Sequence, residues 1–220
     1  MAARQTDSRT PPSFERRTIV VFARAPRLGE VKTRLAAELG NDAALEVYRE
    51  VAEIAFGSAA GAVADRVVVA CAPDLALDEL REWAELSAGA ALHCEPQGSG
   101  DLGERLTRAI DDGFRHGASA VIVIGTDCPA LTSAMLNNAF AELHHADVVI
   151  GPAHDGGYYL IGVRAPHAEL FDGIPWSTPD VFAMTIEAAQ RGALRVRLLP
   201  PLADIDTAAD WRAWRGATGP

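Results

Sequence analysis

The chain has 220 residues, of which 49% are hydrophobic and 23% charged, proportions that suit one α/β domain with a sizeable core. A formal net charge of −10 argues against a nucleic-acid partner, which would demand a broad basic surface. No apolar run approaches the roughly 20 residues that a membrane span requires.

The first seventeen residues are polar, contain Pro11-Pro12 and have no apolar stretch of the signal-peptide kind, so residues 1–17 read as a disordered leader. Residues 18–215 hold no linker, repeat or low-complexity tract and are expected to form a single domain. The three cysteines (Cys71, Cys94, Cys128) are scattered and form no CxxC pair. That pattern suggests reduced thiols, a cytoplasmic setting and no cysteine-based zinc site.

The first strand signal is Thr18–Phe22, and it runs directly into Arg24-Ala25-Pro26-Arg27-Leu28-Gly29-Glu30-Val31-Lys32-Thr33-Arg34. Four of the twenty basic residues (Arg24, Arg27, Lys32, Arg34) fall within these eleven positions of an acidic chain. Lys32 is the only lysine, the other nineteen basic residues being arginines. A compact ammonium on a flexible stem suits a tight anionic pocket, typically phosphate, although a single lysine on a solvated helix face has the same sequence appearance. As an exposed loop charge, Lys32 is expected to matter for nucleotide affinity and little for stability.

Further strand signals follow at Arg66–Cys71, Ala91–Glu95, Ala118–Ile124, Asp147–Gly151, Tyr158–Val163 and Arg195–Leu199. Between them, helical spacing spans Asp42–Ala60, Asp74–Leu86, Leu102–Phe114, Ser133–Leu143 behind a Thr132 cap, and Val181–Arg191 behind Thr178-Pro179 and before Gly192. Alternation of this kind predicts a mostly parallel sheet covered on both faces. Only Pro152-Ala153-His154-Asp155-Gly156-Gly157 separates the fifth and sixth strand signals, too little for a crossover helix, so one strand should run reversed.

Four loops at the ends of these elements carry chemistry. Gln97-Gly98-Ser99-Gly100-Asp101-Leu102-Gly103-Glu104-Arg105 is a glycine-rich entry to a helix, where Gly98, Gly100 and Asp101 are candidates for a nucleotide's phosphates. Asp127, in Gly125-Thr126-Asp127-Cys128-Pro129, follows a buried strand and offers a hard oxygen to magnesium or manganese, or else organises its turn. Asp204 and Asp206 stand at i and i+2 and could share that cation, unless Asp206 caps the last helix. Asp155 lies in the hairpin turn with His154 and Tyr158-Tyr159, where Asp-Gly also has a purely local explanation.

Four motifs in series carry a family resemblance: Phe-Ala-Arg-Ala-Pro…Gly-Glu-Val-Lys-Thr-Arg-Leu (22–35), Gly-Asp-Leu-Gly-Glu-Arg (100–105), Gly-Thr-Asp-Cys-Pro (125–129) and Gly-Pro-Ala-His-Asp-Gly-Gly-Tyr-Tyr-Leu-Ile-Gly (151–162). Over residues 18–215 the chain resembles the bacterial GT-A-type glycosyltransferases labelled arsenosugar-biosynthesis glycosyltransferases. It is more distantly similar to molybdenum cofactor guanylyltransferase and phospholactate guanylyltransferase. The resemblance implies an α/β GT-A (nucleotide-diphospho-sugar transferase) fold, a Rossmann-like three-layer α/β/α sandwich. It also implies phosphate-gripping by Arg24, Lys32 and Arg34, a nucleotide-approaching loop at Gly98 to Gly103, metal ligation by Asp127 with Asp204 or Asp206, and an acceptor-facing Asp155. Two features depart from the relatives: Asp127 sits in Asp-Cys-Pro and not in Asp-x-Asp, and the first loop lacks the Gly-x-Gly-x-Ser-x-Arg signature.

The function expected is a Mg2+- or Mn2+-dependent transferase acting on a nucleotide donor and a small-molecule acceptor, with Lys32 and Asp155 in catalytic roles. Glycosyl transfer from a nucleotide-diphosphate sugar is the first reading. Nucleotidyl transfer with pyrophosphate release is the second. A non-catalytic nucleotide-binding protein is the third, and unlike the other two it could bind nucleotide without metal.

Overall fold

The structure, a computed structural model, describes residues 16–218. The expected leader therefore lies outside the described residues except at its end, where Arg17 already opens the first strand.

All seven strand signals form strands, and they join in one sheet of order β3-β2-β1-β4-β6-β5-β7. The strands are β1 (Arg17–Arg24), β2 (Arg66–Ala72), β3 (His93–Pro96), β4 (Ala120–Ile124), β5 (Val148–Pro152), β6 (Tyr158–Val163) and β7 (Val196–Leu198). Strand β6 is antiparallel to both neighbours, with Val123 and Ile150 each paired in register with Ile161, and every other pairing is parallel. The single reversed strand predicted from the six-residue connection is thus present.

Helices α1 (Thr33–Leu39), α2 (Asn41–Ala60), α3 (Leu77–Ala88), α4 (Leu102–Arg115), α5 (Ser133–Glu142), α6 (Val181–Arg191) and α7 (Ala208–Thr218) connect and cover the strands. Period-two alternation along β1 sends Ile19, Val21 and Ala23 into one core with Phe56, Leu80 and Phe140, beneath α2, α3 and α5. Val20 faces the opposite core with Leu106, Ile110 and Ala189, beneath α4 and α6. Burial on both faces explains why the central strands β1, β2 and β4 read as apolar runs, whereas the edge strands β3 and β7 are shorter and partly exposed.

A third cluster, Leu35, Val47, Val51, Ile205 and Ala208 with Trp211 and Trp214 against it, clamps α1, α2 and α7 together. It brings the loop after β1 opposite the segment before α7, although 170 residues separate them in the chain.

Of the two predicted caps, one differs from expectation. Thr132 caps α5 as predicted, accepting from the Met135 amide. At α6, however, Asp180 is the N-cap residue and Pro179 stands before the helix, while Thr178 Oγ1 donates to the Pro175 carbonyl at 2.8 Å. Thr178 is drawn into its own turn.

Asp147 ties the far edge of the sheet. Its carboxylate accepts from Arg195 Nε at 3.0 Å and from the Arg195 amide at 2.9 Å, and pairs with Arg164 Nε at 3.0 Å. Hydrogen bonding from Arg195 outweighs partial burial and holds the Asp147 pKa down at about 2. A depressed carboxylate stabilises the fold above the unfolded-state pKa, near 3.9, and loses that contribution as pH falls toward the folded value. Asp147→Asn should therefore cost about 1–2 kcal/mol at pH 7, the exposed Arg195 side being screened. Denaturant titrations should show the gap from wild type closing between pH about 4 and 2.

Candidate functional site

The strand order changes direction between β1 and β4, the position where open α/β sheets place ligands outside the carboxyl ends of their strands. A cavity of about 540 Å³ opens there, lined by residues from the ends of β1, β2 and β4 and from the loops that follow. Its size suits a nucleotide-scale ligand.

At the end of β1, Tyr48 from α2 donates its hydroxyl to the Arg24 carbonyl and accepts from the Arg24 amide, both at 2.8 Å. Burial pushes the Tyr48 pKa up to about 12, so the hydroxyl stays protonated and the strand end stays fixed. The Arg24 side chain lines the cavity and is exposed.

Lys32 adopts a left-handed backbone conformation, φ 47° and ψ 48°, immediately before α1. Buried Val31 and Leu35 anchor the chain on either side. Its ammonium donates to Asp127 Oδ1 in a short ion pair and lies 3.4 Å from Asp206 Oδ1. Its side chain is only 4% exposed. The expectation of an exposed loop charge is thereby corrected: the α1–α2–α7 cluster folds the loop down onto two strand-end carboxylates. Burial alone would lower the Lys32 pKa, but Asp127 and Asp206 together hold it above the ordinary lysine value. Arg34, largely exposed, reaches Asp206 Oδ2 at 3.6 Å.

Asp127 is fixed through its backbone as well, since its carbonyl accepts from the Ile205 amide at 2.9 Å. The i, i+2 pair divides its work. Asp206 faces Lys32, whereas Asp204 accepts the Cys128 thiol proton in a short hydrogen bond. Burial, followed by the charges of Asp155, Asp127 and Asp206, pushes the Asp204 pKa up to about 6 against the opposing effect of the thiol. Burial and Asp204 together push the Cys128 thiol up, keeping its proton on sulfur. Capping of α7 falls to Thr207 and Asp210: Thr207 Oγ1 accepts from the Asp210 amide at 3.3 Å, and Asp210 accepts from the Thr207 amide at 2.8 Å. Asp206 is therefore released from the capping role that its position also allowed.

The glycine-rich loop is built from within. Gly98 and Gly100 have φ of 76° and 104°, the left-handed region that glycine enters without strain. Asp101 caps α4 in a reciprocal capping box with Glu104. Arg108 Nη2 donates to the Ser99 carbonyl at 2.9 Å and Arg105 Nε to the Gly100 carbonyl at 3.0 Å. Gly98, Gly100 and Asp101 do not line the cavity; Gln97, Leu102 and Arg105 from the same segment do. Buried Gln97 donates to the carbonyls of Ala23 and Ala70 at 3.2 and 2.9 Å, stapling β1 to β2, while its Oε1 accepts from Arg105 at 3.4 Å.

Asp155 also stands outside the cavity lining. Its Oδ1 accepts from the Gly157 amide at 2.9 Å, closing its own turn. A backbone bridge between Ala153 and Leu202 sets this turn beside the Asp204 segment.

Of the residues singled out from sequence, Arg24, Lys32, Arg34, Asp127 and Asp206 converge on one cavity. Arg105, Gln97 and Tyr48 were missed. Arg105 closes the Gly-Asp-Leu-Gly-Glu-Arg motif and so carried a signal, whereas Tyr48 shares the apolar face of α2 and looks like any core residue.

Among the described residues, no three His, Cys, Asp or Glu side chains are grouped to hold a metal ion. Asp127 and Asp206 nevertheless form a pair of hard oxygens already closed around a cation, the Lys32 ammonium. One or two carboxylates completed by substrate phosphates is a common protein contribution to a magnesium site, so the donor set fits a divalent ion. None of the described helices is long and apolar enough to cross a membrane.

Comparison with known proteins places the fold. The family model described as "Uncharacterized protein conserved in bacteria (DUF2064)" matches residues 55–178. No curated protein matches the chain in sequence. Among solved structures, a candidate nucleotide-diphospho-sugar transferase from Desulfovibrio desulfuricans G20 is 34% identical, with a TM-score of 0.85 over 92% of this chain and 87% of that one. Two more distant structures share the fold. Glucosyl-3-phosphoglycerate synthase from Mycobacterium tuberculosis, in complex with Mn2+, UDP and glucosyl-3-phosphoglycerate, is 13% identical with a TM-score of 0.53 over 90% of this chain and 75% of that one. A cytidylyltransferase from Leptospira borgpetersenii serovar Hardjo-bovis is 12% identical with a TM-score of 0.57 over 91% and 85%.

Proposed function

This chain belongs to the DUF2064 family, and we propose that it transfers a glycosyl group from a nucleotide-diphosphate sugar to a small-molecule acceptor. The 34%-identical relative supports a nucleotide-using transferase. The observation that carries the reading is the convergence of Arg24, Lys32, Arg34, Arg105, Asp127 and Asp206 on one cavity at the β1–β4 switch point.

In this reading the donor's phosphates lie against Lys32, Arg34, Arg24 and Arg105, whose positive charge stabilises the diphosphate as its bond to the sugar breaks. A Mg2+ or Mn2+ ion held by Asp127 and Asp206 supplies further neutralisation of the leaving group when bound. Gln97 and Tyr48 keep the strand ends in register so that these charges stay aimed at one point. Asp155, beside Asp204 at the edge of the site, orients or deprotonates the acceptor hydroxyl. Gly98 and Gly100 shape the loop that brings Arg105 in, and Asp101 acts through the cap of α4.

A second reading has its own support: four cationic side chains around one cavity also suit a triphosphate. The classes separate by what leaves. With a panel of nucleotide sugars and acceptors followed by phosphorus NMR, a nucleoside diphosphate product is expected. Pyrophosphate released from an NTP, dependent on a phosphorylated acceptor and lost in Asp127→Asn, would overturn the first reading.

A further inference from the structure

The place between Asp127 and Asp206 is already filled by a positive charge that belongs to the chain itself. We propose that Lys32 is a tethered cation that competes with the divalent metal for Asp127 and Asp206, so that metal binds this pair tightly only after a nucleotide's phosphates have drawn the ammonium away. The inference rests on the reading that these two aspartates hold the metal.

Burial fixes the order of the groups. The Lys32 side chain is 4% exposed while those of Asp127 and Asp206 are 50% and 39% exposed, so the ammonium sits inside and the carboxylates face the cavity. Charge sets the competition. Lys32 between the two carboxylates, with Arg34 at 3.6 Å from Asp206, offsets much of their charge and so weakens their pull on a free dication. A dication entering beside the ammonium would meet like charge in a poorly solvated place, where Coulomb forces are weakly screened. Equally, the buried ammonium cannot lose its carboxylates without another anion, because a stripped buried charge is strongly disfavoured.

Phosphate is the anion the cavity is prepared for. Arg24 and Arg105 line the same space, and the Arg24 guanidinium has no ion-pair partner among the described residues. The flexible lysine stem lets the head group swing from carboxylate to phosphate with the backbone held. That backbone is strained: φ of 47° is unusual for a residue with a side chain, and it aims the stem at the two aspartates. Asp204, which could otherwise enlarge the acidic set, is engaged by Cys128.

Manganese binding without nucleotide tests the proposal, read from the electron paramagnetic resonance of free Mn2+ with the full chain. Lys32→Met and Lys32→Gly should each bind Mn2+ about tenfold or more tighter than wild type, and Lys32→Arg should not. Lys32→Gly keeps the test decisive if the methionine variant misfolds, since glycine accepts the left-handed conformation without strain. The gain should vanish when Asp127→Asn is added. Mn2+ affinity of Lys32→Gly no tighter than wild type, or a gain that survives Asp127→Asn, would overturn the proposal. Tight binding by wild type that Asp127→Asn abolishes would overturn the competition alone and leave the metal reading standing, and no nucleotide chemistry enters either result.

Discussion

Asp127→Asn is expected to weaken nucleotide binding in the presence of Mg2+ by about 100-fold or more, roughly 2.7 kcal/mol, and to erase the difference between titrations with and without the ion. The loss should exceed that of a single hydrogen bond because the carboxylate has two roles. It completes the proposed cation pair, and it neutralises Lys32 while the cavity is empty. The fold should persist, because the Asp127 carbonyl that receives the Ile205 amide is unchanged in asparagine. Calorimetry with each nucleoside diphosphate, paired with circular dichroism, checks both halves. Affinity within twofold of wild type would mean that the cation, if used, is held elsewhere.

The second large effect is at Lys32. Lys32→Gly should lower nucleotide affinity about 10- to 150-fold, the roughly 1.5–3 kcal/mol of a hydrogen bond to a charged group. Its effect on stability has two opposing parts. Removing the ammonium leaves Asp127 and Asp206 facing each other, while glycine relieves the left-handed backbone. Thermal melts should therefore show Lys32→Ala, which keeps the backbone strain, as the less stable of the two variants. Equal nucleotide affinity in wild type and Lys32→Gly would remove the lysine from the phosphate site.

The architecture was legible because the central strands β1, β2 and β4 are largely buried runs and the β5–β6 pair is turned by a short glycine-bearing loop, and both conditions write themselves into the sequence. Residues 152–157 are too few for a crossover helix, so the reversal of β6 followed from length alone. The site was legible at the strand ends: Arg24 and Asp127 follow apolar runs whose carboxyl ends must share one rim. What sequence did not carry was the pairing across that rim. Lys32 and Asp206 are 174 positions apart, and tertiary packing, with Leu35 in one cluster with Ile205 and Ala208, brings them together. The split between Asp204 and Asp206 was hidden for a related reason. Extended spacing predicts a shared direction, but the Cys128 thiol captures one carboxylate, and the Thr207–Asp210 cap leaves the other free for Lys32. The glycine-rich loop misled in a different way, since its glycines serve the turn and the useful cation, Arg105, comes from the first turn of the helix beyond.

A crystal structure with Mn2+ and whichever of ADP, CDP, GDP or UDP binds best tests the proposed phosphate and metal site most directly. The diphosphate is expected in the cavity at the ends of β1 and β4, with Lys32 turned from Asp127 to a phosphate oxygen and Asp127 within about 5 Å of the ion, directly or through a water. A diphosphate bound in another part of the molecule, or an ion remote from Asp127 with Lys32 still clamped between the two aspartates, would contradict that site.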